Sequence, residues 1–156
     1  MPEDTFRLPK SSYEEIVKII RAYGNAGNDA SLADVAKTAA MNETIISSNN
    51  AFLAAVGIIE GGKTKTVTER GRALAMALQH EIPDEISTQW NLIVSDNVFL
   101  QKMVTAVSIR QGMEASALQA HIAYSASEPK SSRVMAGAAA VVEILKVSGF
   151  FEGFRR

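Results

Sequence analysis

Two stretches of this chain end alike. Gly57-Ile58-Ile59-Glu60-Gly61 returns as Gly149-Phe150-Phe151-Glu152-Gly153: a glycine, two large apolar residues, an acid and a second glycine. Each copy follows an apolar run of helical period, and a glycine in that position is the usual left-handed stop of a helix. If the two stretches are copies of one unit, the chain is a tandem of small helical modules, with its function on surfaces rather than in a catalytic pocket.

A chain of 156 residues with 47% hydrophobic and 21% charged side chains can bury one sizeable core or two small ones in contact. No apolar run approaches the roughly 18 residues that span a bilayer, and Met1-Pro2-Glu3-Asp4 has neither the basic nor the apolar part of a secretory signal. The expectation is a cytoplasmic protein without membrane contact. The absence of cysteine excludes disulfides, thiolate metal sites and cysteine nucleophiles. The formal net charge of -1 excludes a broadly cationic nucleic-acid binder, so any basic surface has to be local. Residues 1–61 hold eight acids and five bases, whereas Lys63, Lys65, Arg70 and Arg72 face a single acid, Glu69, within ten residues.

Helix starts are marked by short polar residues ahead of apolar runs. Residues 1–10 show no period and read as a flexible arm. Ser11-x-x-Glu14 and Ser12-x-x-Glu15 both offer capping boxes for a helix carrying Ile16, Val17, Ile19, Ile20 and Tyr23, which ends near Gly24 to Gly27. Ser31-x-x-Asp34 opens a short second helix, and Asn42 caps a third over about 43–56, with Gly57 after it. Ile58-Ile59 and Thr64 to Val67 flank the Gly61-Gly62 turn as two stubs of a small hairpin. Thr68 caps a fourth helix, in which Gly71 costs about 1 kcal/mol of propensity and so predicts a close packing contact. Pro83 lies in a linker with a connecting helix over 81–97. From there the plan recurs: a shift of 85 sets Tyr13 to Ala26 on Val98 to Gln111 and Ser31 on Ser116, and a shift of 92 sets Gly57 on Gly149. The expected organisation is an arm over 1–10, a module over 11–80, the linker over 81–97 and a degenerate module over 98–156.

Helix, helix, Asn-capped helix, Gly-Ile-Ile-Glu, glycine turn and then Val67-Thr68-Glu69-Arg70-Gly71-Arg72-Ala73-Leu74 resembles the winged helix-turn-helix superfamily of microbial transcription regulators, over about 13–79. The whole chain is similar, more loosely, to an uncharacterised prokaryotic family of two such modules, which supplies no function. The fold the resemblance implies is mainly α with a small β-wing, as two tandem winged-helix-like modules. The function it implies is DNA binding in transcription control, with the third helix in the major groove. Winged helices also serve as dimerisation or scaffold domains, so a protein-interaction module that never meets DNA is the alternative.

The residues of the third helix divide cleanly. At about 100° per residue, Ile45, Ile46, Phe52, Leu53 and Val56 share the core arc. Glu43, Thr44, Ser47, Ala51 and Ala54 lie opposite, flanked by Ser48 and Asn50. Thr44, Ser47, Ser48 and Asn50 are the expected groove-facing residues, and Asn50 is the candidate for a bidentate contact to adenine. Asn42 is assigned to the cap, and Asn49, inside the apolar arc, to buried backbone, since an unpaired buried amide costs about 1 to 3 kcal/mol. Lys63, Lys65, Arg70 and Arg72 are expected on phosphates, where they add affinity without sequence preference.

On the corresponding helix of the second half, Val134, Ala138, Val141, Val142 and Leu145 form the core arc. Ala136, Ala139, Ala140, Glu143 and Val147 are expected to face outward and to pack on the first module or on a second copy, leaving Lys130 and Arg133 to reach phosphate. Leu74, Met76 and Leu78 offer a further self-association face, so a homodimer is expected. No catalytic constellation emerges: His80 and His121 stand apart, His80 at a helix end where it meets the helix dipole. Gly61-Gly62-Lys63-Thr64 superficially resembles the end of a phosphate-binding loop but is assigned to the hairpin. The chain is expected to be no enzyme and to hold neither cofactor nor metal.

Overall fold

Local polar caps set where the helices of the first half begin. In the computed structural model, which describes residues 6–110 and 112–150, α1 (Tyr13–Ala26) starts at Ser12, whose hydroxyl accepts from Glu15 N at 3.3 Å. Ser31 and Asp34 close a reciprocal capping box on α2 (Leu32–Ala39). The Asn42 side chain accepts from Thr44 N at 2.8 Å ahead of α3 (Glu43–Ala55). Each of these bonds satisfies an amide that has no partner within its own helix. Thr68 does so for α4 (Glu69–His80), accepting from Gly71 N at 2.9 Å, and its hydroxyl also donates to Gly57 O at 2.6 Å. One side chain thus ties the start of α4 to the end of α3.

Between α3 and α4 the chain forms β1 (Ile59–Gly61) and β2 (Lys65–Val67), antiparallel, with Ile59 opposite Val67 and Gly61 opposite Lys65. Ala30, in the link from α1 to α2, bridges to Lys65 of β2. Its N–H donates to Lys65 O at 2.7 Å, and Lys65 N donates back at 2.9 Å. The sheet therefore pins the α1–α2 link to the α3–α4 hairpin, and Ile58, Ile59 and Val67 turn inward to the core.

α5 (Pro83–Ser95) opens with proline in its first turn, where the missing N–H is harmless. It is the helix expected between the halves, and it belongs to the core: Trp90, Ile93 and Val94 recur at helical spacing and are fully buried. α6 (Val98–Ile109), α7 (Ala115–Ser125) and α8 (Ser132–Val147) complete the described chain. α6 begins where the shift of 85 places it. α7 begins two residues earlier than the alignment with Ser31 requires, after Glu114, which makes no side-chain cap bond. Gly57 and Gly149 both take left-handed values, φ 82° and φ 84°, one residue beyond the caps of α3 and α8. The expected continuation of the second copy, 151–156, lies outside the described residues.

One hydrophobic cluster runs through both halves, from Phe6 to Leu145. The expected arm is accordingly corrected for residues 6–10. Phe6 stacks on Phe99 of α6, with ring centroids 4.2 Å apart, and meets Phe52 of α3 edge-on at 5.9 Å. Leu8 and Pro9 are also buried. A short apolar segment has no period to read, yet Phe6 and Leu8 each remove enough apolar surface from water to fix it, roughly 2 kcal/mol per side chain.

α8 is packed on α7 and also on α1 and α5. Val134, Ala138, Val141, Val142 and Leu145 form its core arc as expected, but the face expected outside is largely covered. Ala140 is buried and Glu143 and Val147 are half-buried, leaving Ala136 and Ala139 in solvent. Gly137 lies against Pro9, where a Cβ would overlap the Pro9 carbonyl. Leu74 and Leu78 are likewise used within the chain, and of that trio Met76 alone is exposed, at 55%. Among the described residues no single helix is long and apolar enough to cross a membrane.

Candidate nucleic-acid interface

α3 buries Ile46, Asn49, Phe52 and Leu53 and turns Glu43, Thr44, Ser47, Ala51, Ala54 and Ala55 to solvent. The outward stripe is narrow and made of small side chains. On its flanks the expected site residues fare differently. Ser48 is half-buried, and its hydroxyl donates to Ile45 O at 3.0 Å. Asn50 is also half-buried and accepts from the Tyr23 hydroxyl at 2.7 Å. Bidentate recognition of adenine uses both ends of the amide, and one of the two lone pairs of the Asn50 oxygen is already engaged by Tyr23. That bond connects residues 27 apart, which is why the helical arc alone did not reveal it. Burial pushes the Tyr23 hydroxyl up to about 12, the bond to Asn50 offsetting a part of the shift.

Asn49 is fully buried and satisfied on three sides. Its oxygen accepts from Lys10 N at 2.6 Å, and its nitrogen donates to Ser11 Oγ at 2.9 Å and Ile45 O at 2.8 Å. The side chain fastens the N-terminal segment along one flank of α3, as a buried amide should when its partners are backbone.

The basic residues after α3 do not form one cluster. Lys63 stands exposed at the hairpin turn. Lys65 curls back, its Nζ donating to Gly61 O at 3.1 Å. Arg70 is turned away to α5, where its guanidinium pairs with the Asp96 carboxylate and donates to Leu92 O at 3.3 Å. Arg72, on the first turn of α4, is exposed. The charge run from 63 to 72 thus leaves Lys63 and Arg72 outward, while Arg70 closes a cleft between α3, α4 and α5 lined by Ala55, Thr68, Arg70, Gln89 and Asp96.

A second basic group gathers around Arg133, which was expected to reach phosphate, and joins it to two cations that the sequence did not single out. Arg7 and Lys10 of the N-terminal segment and Arg133 of α8 line one groove of 520 Å³ together with Ser47, Ser48 and Ala51 of α3. Glu128 is the one acid among its lining residues. Residues 7 and 133 are 126 apart, beyond the reach of any local pattern.

Gly57 to Thr64 has the spacing of a phosphate-binding loop, Gly-x-x-x-x-Gly-Lys-Thr, with Gly57 as its first glycine. The surroundings are reversed. Such a loop joins a strand to a helix whose N-terminal amides cradle phosphate, whereas this segment leaves a helix and enters β2. Among the described residues no three His, Asp or Glu side chains come together as metal ligands would. Comparison with protein-family models, with curated proteins and with solved structures returns no match for this chain.

Proposed function

We propose that the chain binds double-stranded DNA, as a transcriptional regulator or an architectural protein, and that it acts by binding rather than catalysis. The outward stripe of α3 carries this reading: Thr44, Ser47, Ala51 and Ala54 are exposed and small, so a duplex groove can close on the helix without a steric barrier. The supporting frame is a short α2, a turn, α3 and a hairpin bridged by Ala30, which is the order of elements expected of a winged helix-turn-helix. The second half then reads as a degenerate copy of that unit. Thr44 and Ser47 are the base-facing residues of the proposal, and Lys63 and Arg72 its phosphate contacts. With neither Arg nor Lys on the stripe, affinity comes mainly from the backbone and sequence preference is weak.

The test is a titration of a mixed-sequence 24-base-pair duplex, followed by fluorescence anisotropy over a series of salt concentrations. Lys63→Glu should weaken binding for every sequence tried and reduce the salt slope by about 1. No binding by the unaltered protein at low salt would remove the reading.

A scaffold function is the second reading. It is favoured by an open groove of 810 Å³ between α1, α4, α5 and α8, where Tyr13, Val17, Leu78, Pro83, Ile86 and Val147 are flanked by charged residues such as Lys18 and Glu143. A homodimer remains part of the leading proposal, with Val98, Ile109 and Tyr124 at least 73% exposed on α6 and α7. Sedimentation of the unaltered protein and of Ile109→Glu tests it.

A further inference from the structure

We infer that the groove between α3 and the N-terminus of α8 is a seat for the phosphate backbone of bound duplex, so that the second half of the chain contributes to the interface. The inference rests on the DNA-binding reading and extends it to residues outside the helix-turn-helix.

Three observations converge. Arg7, Lys10 and Arg133 come from segments far apart in sequence to one groove, against one carboxylate, Glu128, in a chain whose formal charge is -1. Among the described residues none of the three side chains takes part in either ion pair, Arg70 with Asp96 or Lys146 with Glu143. The groove is bounded by α8's first turn, which carries no acid and adds the partial positive charge of its unpaired amides.

Position gives the ligand class. The groove runs along Ser47, Ser48 and Ala51, directly beside the outward stripe of α3. A helix seated in a major groove about 12 Å wide has a phosphate backbone along each side. Cations alongside the helix therefore meet phosphodiester oxygens rather than base edges. Asn49 holds the backbone of Lys10 against α3, and Pro9 against Gly137 holds the same segment to α8, so the wall bearing Arg7 and Lys10 is set before any ligand arrives.

The experiment uses the full chain and the duplex titration described above, with Arg7→Ala/Arg133→Ala and Glu128→Gln as variants and Lys63→Glu beside them. Arg7 and Arg133 are exposed, and unchanged thermal melting would show that the double variant is folded. The double variant should lower the log–log salt slope by about 2, at roughly 0.9 per phosphate contact, and weaken binding to all sequences alike. Glu128→Gln should change affinity in the opposite direction. If Lys63→Glu weakens binding while the double variant and Glu128→Gln leave slope and affinity unchanged, the groove is not a phosphate seat, though the DNA-binding reading stands. If the unaltered protein binds no duplex at low salt, both fall.

Discussion

The side-chain oxygen of Asn49 accepts a hydrogen bond from the backbone N–H of Lys10 at 2.6 Å, across 39 residues of sequence. Through this bond a polar residue in the buried arc of α3 determines where the N-terminal segment lies. Asn49→Ala leaves the Lys10 N–H and the Ser11 hydroxyl without their partner, and a buried group left unpaired costs about 1 to 3 kcal/mol. Urea unfolding should show that loss, and amide exchange at Lys10 should rise more than at residues within α1. A variant as stable as the original would mean that the segment is held by Phe6, Leu8 and Pro9 without this bond.

Gly71→Ala should destabilise the protein even though alanine is the better helix former by about 1 kcal/mol. A Cβ there would overlap Ile58 O and stand 2.9 Å from Val67 Cγ2, so either the hairpin or α4 has to move. Thermal melting should place this variant below the original by about 1 to 3 kcal/mol, the cost of an overpacked site. Gly62→Ala is the contrast, because nothing lies within 4 Å of a Cβ built at that position.

Tyr23 gives the stability curve an alkaline limb. Its hydroxyl is raised from 10.0 to about 12 by burial, so the unfolded chain releases this proton at lower pH than the folded one. Stability from this group is full below pH 10 and is lost as pH rises to about 12, by an amount on the order of 2 kcal/mol. Tyr13 is raised as well, chiefly by burial, with the bond from Trp90 working the other way. Tyr23→Phe should therefore flatten the limb without abolishing it. Chemical denaturation at several pH values between 9 and 12 measures the difference; equal slopes for the two proteins would contradict it.

What could be read in the sequence was what neighbours within a few residues decide. Ser12, Ser31, Asn42 and Thr68 cap the helices they precede because a cap bond spans two or three residues. Asn49 was assignable to buried backbone because a polar residue in an apolar arc has to find a partner. The same reasoning gave no access to Asn50, whose partner Tyr23 lies on another helix, or to Arg70, which is drawn to Asp96 across 26 residues. The ten-residue charge run looked like one patch because sequence proximity hides direction: successive side chains on a hairpin and on a helix point to different sides. Arg133 was legible as a cation able to reach phosphate, but its meeting with Arg7 and Lys10 in one groove has no local signature. Phe6 and Leu8 were too few to show a period, although they anchor the segment.

The contact of Pro9 with Gly137 also governs the order in which this molecule can be finished. During synthesis the residues around Pro9 emerge early, yet one face of their resting place is made by α8, 128 residues later. α1 to α4 can condense while the chain is still being made, but the N-terminal segment has to wait, Phe6 for Phe99 of α6 and Pro9 for Gly137 of α8. Such a long-range closure slows the last step of folding and couples the two ends of the core into one cooperative transition. Cutting the chain between its halves would therefore yield not two independent pieces but two with complementary exposed surfaces.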